Sequence, residues 1–137
     1  VEEAVRSADV LVMLTNATTP FIRETWIPKG CLVMGMGSFQ QADDNTTLKA
    51  DKLFADCREQ AIHRGEIKKI YAAGKIHESA LPTEFGEIVA GVKPGRVSDD
   101  ERIMVVLVGL GAHDVFVASK VYRIAREKNI GMFVKLN

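Results

Sequence analysis

The sequence has little of what marks nucleic-acid-binding and membrane proteins. Its 137 residues carry a formal net charge of zero, with 18 lysines and arginines against 18 aspartates and glutamates. A balanced charge gives no support to the binding of nucleic acid or of an anionic membrane surface. No apolar stretch approaches the roughly 20 residues of a membrane-spanning helix. We therefore expect neither nucleic acid nor a membrane as a partner.

Cysteine and histidine are also scarce, and their spacing excludes common metal sites. Cys31 and Cys57 are far apart and form no Cys-x-x-Cys motif, and with the three histidines they show no zinc-binding spacing. We expect no metal site. Reduced thiols are typical of cytoplasmic proteins, and we expect a cytoplasmic localisation.

The N-terminal segment VEEAVRSADV does not have the pattern of a signal peptide. It is acidic and amphipathic, and it lacks an initiator methionine. We interpret it as the middle of a longer chain, entered partway through a helix. The length and the 47% apolar content fit one domain with one core.

The sequence does contain an alternation of short apolar runs and helical segments. The predicted strands are 10–14, 31–34, 52–56, 103–108 and 132–136, and the predicted helical segments are 1–7, 58–64, 66–73, 84–90 and 112–128. A polar segment lies between the second and third strands, where Asp43 and Asp44 favour a solvated loop. Thr46 or Thr47 in this segment is expected to cap a short helix. Alternating strands and helices predict an α/β fold, a parallel sheet with flanking helices.

The most informative stretch runs from Arg102 to Lys128. Its apolar run at 103–108 is typical of a strand buried on both faces of a parallel sheet. Glycines at 109 and 111 then break the run, and Val117, Val121 and Ile124 recur at helical spacing. A strand, a glycine turn and a helix start form a common ligand site in α/β proteins. A buried strand and a helix joined by a plain glycine turn is the more common explanation, since GLGAHD lacks the third glycine of the dinucleotide fingerprint.

Small polar residues or glycines follow three of the predicted strands. The turns are Thr15-Asn16-Ala17, Gly35-Met36-Gly37-Ser38 and Val108-Gly109-Leu110. In a parallel sheet the carboxyl ends of the strands lie along one edge, so these turns would converge on one crevice. Antiparallel strands, or turns on opposite edges, would remove this argument for a ligand site.

The order of motifs resembles that of a known family. The chain reads ADVLVMLTNATTPFI, a strand into GMGS, FADCREQAIHRGEI, FGEIVAGVKPGRVSDDERI and VGLGAHDV. These motifs are similar to those of the ornithine cyclodeaminase/mu-crystallin family, which includes alanine dehydrogenases and ketimine reductases. The similarity spans nearly the whole chain and is most specific over GEIVAGVKPGRVSDDE and the following strand.

The resemblance implies a homodimeric enzyme that uses NAD or NADP on a small amino- or imino-acid substrate. Residues 1–128 would form the second half of a Rossmann-type NAD(P)-binding domain. Residues 129–137 would return toward a substrate and dimerisation domain encoded upstream. The glycine fingerprint for the pyrophosphate is expected upstream too, since GMGSFQ and GLGAHD both lack its last glycine. The fragment alone is therefore expected to bind dinucleotide poorly and to be inactive.

Carried over position by position, the resemblance assigns all three turns to the cofactor. Thr15-Asn16-Ala17 corresponds to a strand end that passes the cofactor. Gly35-Met36-Gly37-Ser38 and Val108-Gly109-Leu110 correspond to the two loops beside the nicotinamide.

One position departs from the family pattern. Cyclodeaminases and alanine dehydrogenases carry Gly-x-Asp after the strand that ends near Gly35, and the aspartate handles the substrate amine. Here Phe39 stands at the place of that aspartate. Mu-crystallin-like ketimine reductases also lack the aspartate. The departure favours ketimine reduction or amino-acid dehydrogenation over cyclodeamination of ornithine to proline and ammonia. A non-enzymatic small-ligand carrier, or an inactive fragment, is a further alternative.

A step on an amine needs a proton acceptor, which phenylalanine cannot be. The candidate catalytic residues are then Ser38, a weak base, His113, or a residue of the upstream part. A lone histidine near a helix start is more often a capping or surface group.

Overall fold

The computed structural model describes residues 1–135. The helices are α1 (Glu2–Arg6), α2 (Asp44–Leu48), α3 (Arg58–Ala61), α4 (Lys68–Ala72), α5 (Phe85–Val89) and α6 (Gly111–Glu127). The strands are β1 (Val10–Met13), β2 (Leu32–Gly35), β3 (Lys52–Ala55), β4 (Thr83–Glu84) and β5 (Ile103–Val106), and 3-10 turns lie at Glu24–Trp26 and Glu78–Ala80.

The five strands form one parallel sheet in the order β1-β2-β5-β3-β4. Register aligns Met13 with Gly35, Gly35 with Val106, and Val106 with Ala55. Ala55 in turn pairs with Glu84. The last residues of all five strands therefore lie in one row, and the prediction of a parallel α/β sheet is confirmed.

The last strand in sequence, β5, lies at the centre of the sheet. Its four residues are all buried. Met104 and Val106 belong to the larger apolar cluster on one face, and Ile103 and Val105 pack with Phe54 on the other. A strand with two covered faces needs an apolar residue at every position, which explains the continuous run in the sequence.

The first strand, β1, was predicted to be buried, and this prediction is wrong for the described residues. Within residues 1–135, β1 pairs only with β2, and it forms an edge of the sheet. Val10 is 54% exposed and Val12 47%. The apolar pattern of a strand does not encode how many neighbours cover it, because pairing partners are set by distant parts of the chain.

The long helix α6 was predicted correctly, but none of its residues is buried. The apolar side chains of Val117, Val121 and Ile124 are exposed, since no described element packs over them. The chain then turns at Asn129 (φ 52°) and Gly131 (φ 94°). The strand predicted at 132–136 is not formed over residues 132–135, which pair with no described strand, and residue 136 lies outside the described residues.

Two local details also differ from prediction. Helix α2 is capped by Asp43, whose Oδ1 accepts hydrogen bonds from N and Oγ1 of Thr46, both at 3.0 Å. Either Thr46 or Thr47 was expected as the cap, and both instead lie buried inside the helix. The two-residue strand β4 was missed, because so short a strand leaves no alternation to recognise. No helix in the described part of the chain is long and apolar enough to cross a membrane.

Candidate functional site

The three turns singled out in the sequence lie along one edge of the sheet. They follow β1, β2 and β5, whose last residues are in register. The ladder continues into them, since N of Met36 donates to O of Met13 (3.0 Å) and N of Leu107 donates to O of Gly35 (2.9 Å). Because these strands are parallel and in register, the turns that follow them can line one crevice at this edge of the sheet.

The turn after β1 is held by a side chain from the segment after β2. Gln41 Oε1 accepts hydrogen bonds from N of Thr15 (3.0 Å) and Oγ1 of Thr15 (2.6 Å). Thr15 Oγ1 also accepts from N of Ala17 at 3.2 Å. Asn16, between them, is exposed. The backbone of this turn is thus ordered by Gln41, which is fully buried.

A buried carboxylate, Glu66, lies under the segment after β2. Its Oε1 accepts from N of Gln41 (2.9 Å), and its Oε2 accepts from N of Ala42 (3.2 Å). Glu66 is only 1% exposed. Burial raises the pKa of this carboxyl to about 7, although the two backbone N–H groups act in the opposite direction.

Two glycines of the predicted site are required by these buried side chains. A Cβ at Gly35 would lie 2.4 Å from Cγ of Glu66, and a Cβ at Gly37 would lie 2.7 Å from Nε2 of Gln41. The family resemblance assigned both positions to a loop beside the nicotinamide. Their immediate cause is the space taken by Glu66 and Gln41, two residues that reasoning from the sequence missed. No local signal marks a polar residue as buried.

A cleft of about 510 Å³ opens at the carboxyl ends of β2, β5, β3 and β4. Its lining comprises Met36, Asp56, Glu84, Phe85, Gly86, Leu107, Val108, Gly109 and His113. This volume is within the usual range for ligand pockets. The cleft brings together four residues predicted for the site, namely Met36, Val108, Gly109 and His113.

Asp56 fixes the turn after β5. Its Oδ2 accepts from N of Gly109 at 2.6 Å, and its Oδ1 accepts from N of Cys57 at 2.8 Å. Gly109 has a φ of +85°, which favours glycine, and a Cβ there would meet nothing within 4 Å. Leu110 is the residue before α6 and forms its N-cap position. No pattern in the sequence links Asp56 to this turn, because the two are 53 residues apart.

Ser38 and His113 are not brought into the same pocket. Ser38 lines a smaller pocket of about 330 Å³ together with Phe39, Thr18, Lys68 and others, whereas His113 lines the cleft beside Gly109. The backbone O of Ser38 accepts from N of Gly65 (3.1 Å), and its hydroxyl lies 3.5 Å from Nη2 of Arg64. Phe39 is 48% exposed. Among residues 1–135, no group of three or more potential metal ligands is assembled.

A five-stranded parallel sheet with flanking helices and a cleft at its carboxyl edge is the arrangement of open α/β domains, which bind ligands at the carboxyl ends of their strands. The family model for the ornithine cyclodeaminase/mu-crystallin family matches residues 1–129. The chain belongs to this family, and the resemblance seen in the sequence is confirmed.

Two curated relatives illustrate the range of activities in the family. The chain is 37% identical to an alanine dehydrogenase of Archaeoglobus fulgidus over 98% of its own length and 42% of that protein. It is 36% identical to a Delta(1)-pyrroline-2-carboxylate reductase of Bacillus cereus over 94% of its length and 41% of that protein. The chain thus spans about two fifths of the length of these relatives.

Solved structures match the fold closely. A Delta(1)-pyrroline-2-carboxylate reductase of Thermococcus litoralis, in complex with NADH and L-proline, gives a TM-score of 0.87 at 31% identity, covering 97% of this chain and 42% of that one. An archaeal alanine dehydrogenase dimer with bound NAD gives 0.83 at 35% identity, covering 99% and 43%. An iminosuccinate reductase of Paracoccus denitrificans with NAD+ gives 0.86 at 29% identity, covering 98% and 42%.

Proposed function

We propose that this chain is part of an NAD(P)-dependent oxidoreductase that reduces a small imino acid or oxidises the matching amino acid. The observation that carries the proposal is the cleft of about 510 Å³ at the edge where the turns after β2 and β5 meet. Relatives described as an imine reductase and as an amino-acid dehydrogenase support it, as do neighbours solved with NAD, NAD+ or NADH.

The residues of the cleft fit the nicotinamide end of such a cofactor. Met36, Leu107 and Val108 supply apolar walls, and the exposed backbone at Gly109 carries no side chain to block a flat ring. The cofactor, when bound, supplies the hydride. The chain's own part is to orient the ring and exclude water around it. Asp56 contributes by holding the N–H of Gly109.

Reduction of an imine also needs a proton on the nitrogen while the carbon receives the hydride. Of the two candidates from the sequence, His113 lies in the cleft and Ser38 lies in the other pocket. We therefore favour His113 within this chain. Phe39 cannot accept a proton from an amine, which favours imine reduction over ornithine cyclodeamination.

Residues 1–128 are proposed as the second half of the nucleotide-binding domain, and the segment after residue 128 as the return toward a substrate domain. A homodimer is proposed for the whole protein, and the dimeric archaeal alanine dehydrogenase supports it. Light scattering on the full-length protein tests this assembly, and a monomeric mass would contradict it.

The reaction is tested by mixing the full-length protein with NADH or NADPH and a cyclic imino acid such as Delta(1)-pyrroline-2-carboxylate. We expect loss of reduced-nucleotide absorbance that depends on the imine. Ornithine with NAD+ is expected to give no proline. Proline and ammonia from ornithine, without imine reduction, would instead favour a cyclodeaminase. Tight binding of a small ligand with no turnover of any imine would favour a carrier.

A second experiment tests the role of Asp56. Replacing Asp56 with alanine removes the acceptor for N of Gly109 and should loosen the turn after β5. Of the two hydrogen bonds that Asp56 accepts, the one from N of Gly109 lies in the cleft, and its loss at about 1 kcal/mol predicts a KM for NADH raised roughly fivefold. Asp99→Ala is the matched control, because Asp99 is exposed and precedes β5 at the opposite edge of the sheet. Equal KM values for the two variants would contradict this role.

A further inference from the structure

Glu66 is a buried acidic residue that the proposed chemistry does not use. It is 1% exposed, and in the described part of the chain it takes part in no ion pair. A buried carboxylate without a cation is costly unless hydrogen bonds compensate it. Its two oxygens accept one backbone N–H each, from Gln41 and Ala42.

Hydrogen bonds connect Glu66 with the turn after β1 and with the segment after β2, at the carboxyl edge of the sheet. Oε1 of Glu66 accepts from the backbone N of Gln41, in the segment after β2. Oε1 of Gln41 in turn accepts from N and Oγ1 of Thr15, in the turn after β1. Gln41 Nε2 also lies 3.4 Å from O of Met13, the last residue of β1. One carboxylate thereby helps to set the relative position of two turns that follow different strands.

The residue before Glu66 adds a second attachment at the same place. N of Gly65 donates to O of Ser38 at 3.1 Å, so the corner between α3 and α4 holds the turn after β2 at two points. The Glu66 side chain also packs closely against Gly35, where an added Cβ would lie 2.4 Å from Cγ of Glu66. These contacts end on turn backbone at the ligand edge, whereas a side chain that only filled the core would end on apolar groups.

We propose that Glu66 is a positioning residue, which acts through Gln41 to hold the turns after β1 and β2 in the geometry that accepts the dinucleotide. This inference rests on the proposed function. Glu66 lies directly against the backbone of Gly35, and it reaches the turn after β1 only through the side chain of Gln41.

The test compares three variants of the full-length protein by NADH fluorescence titration and steady-state kinetics. Glu66→Gln keeps the volume but turns an amide N–H₂ toward a backbone N–H. Gln41→Met keeps the backbone bonds to Glu66 but cuts the link to Thr15. Glu59→Gln is the control, since Glu59 lies on the same connection between β3 and α4 and its side chain is 81% exposed.

We expect Glu66→Gln and Gln41→Met each to raise the Kd for NADH roughly tenfold, which is equivalent to a loss of about 1.4 kcal/mol of binding free energy. The kcat at saturating NADH should change less than about threefold. The double variant should bind no worse than either single variant, because both changes cut the same link. The control should bind as the unaltered protein does. A role in stability alone would shift the urea midpoint and leave the Kd of the folded protein unchanged.

The outcomes separate this inference from the proposed function. If the unaltered protein binds neither NADH nor NADPH, the proposed function fails and the inference fails with it. If the unaltered protein binds NADH, and Gln41→Met folds and binds it equally well, the inference alone is overturned. Additive effects in the double variant would also overturn it, since they would show two separate routes to the site.

Discussion

Replacing Gly35 with alanine is expected to lower the free energy of unfolding by about 3 kcal/mol or more, since overpacking and loss of buried hydrogen bonds both contribute. The new Cβ would lie 2.4 Å from Cγ of Glu66. Glu66 cannot retreat without giving up the N–H groups of Gln41 and Ala42. The measurement is urea unfolding of the unaltered protein and of the Gly35→Ala variant.

Gly86 provides the matched control for this change. It lies inside α5, it is exposed, and a Cβ there would meet nothing within 4 Å. Alanine is favoured over glycine in a helix by roughly 0.5–1 kcal/mol, so Gly86→Ala should leave stability unchanged or raise it. A double variant of Gly35→Ala with Glu66→Ala should lose less than the sum of the two single changes, because removing the Glu66 side chain removes the clash. Strict additivity would contradict the steric argument.

The second large effect is a dependence of stability on pH that originates at Glu66. The pKa of this carboxyl is about 7 in the folded protein, against an ordinary value of 4.5. At pH values between 4.5 and 7, Glu66 is protonated in the folded protein and ionised in the unfolded chain. Stability from this group is therefore complete below about pH 4.5 and declines as pH rises to 7, by about 3 kcal/mol in all.

Comparison with Glu66→Gln isolates this contribution. The variant cannot titrate, so its unfolding free energy should fall less between pH 4.5 and 7 than that of the unaltered protein. Glu24 and Asp44 have pKa values lowered by hydrogen bonds to cationic side chains, chiefly Arg102 and Lys75 respectively. They act in the opposite sense and at lower pH, where stability is lost as pH falls. Parallel pH profiles for the two proteins between pH 4.5 and 7 would refute the assignment.

The predictions from sequence were most successful where the signal was local. The apolar run that became β5 was recognisable because a strand covered on both faces must be apolar at every position. The break at Gly109 and the long helix α6 follow from glycine and from helical periodicity. The family could be identified because its motifs occur in order along the chain.

Other features depended on contacts that no local pattern encodes. The tail at 132–135 has a strand-like composition but finds no strand to pair with among the described residues. Ser38 and His113 were both candidates in the sequence, and only the tertiary structure places them in different pockets. Glu66 looked like an ordinary helix residue, although it is among the most buried side chains of the described chain.

The sequence by itself determined the parallel α/β class, the central apolar strand and the three turns that end strands, because each depends on neighbouring residues. Only the tertiary structure decided that β5 lies between β2 and β3 and that two carboxylates hold the turns of the candidate site. Glu66 bonds a residue 25 positions away, and Asp56 bonds one 53 positions away. Such pairings arise when folding brings distant segments together, and burial then makes each hydrogen bond costly to lose.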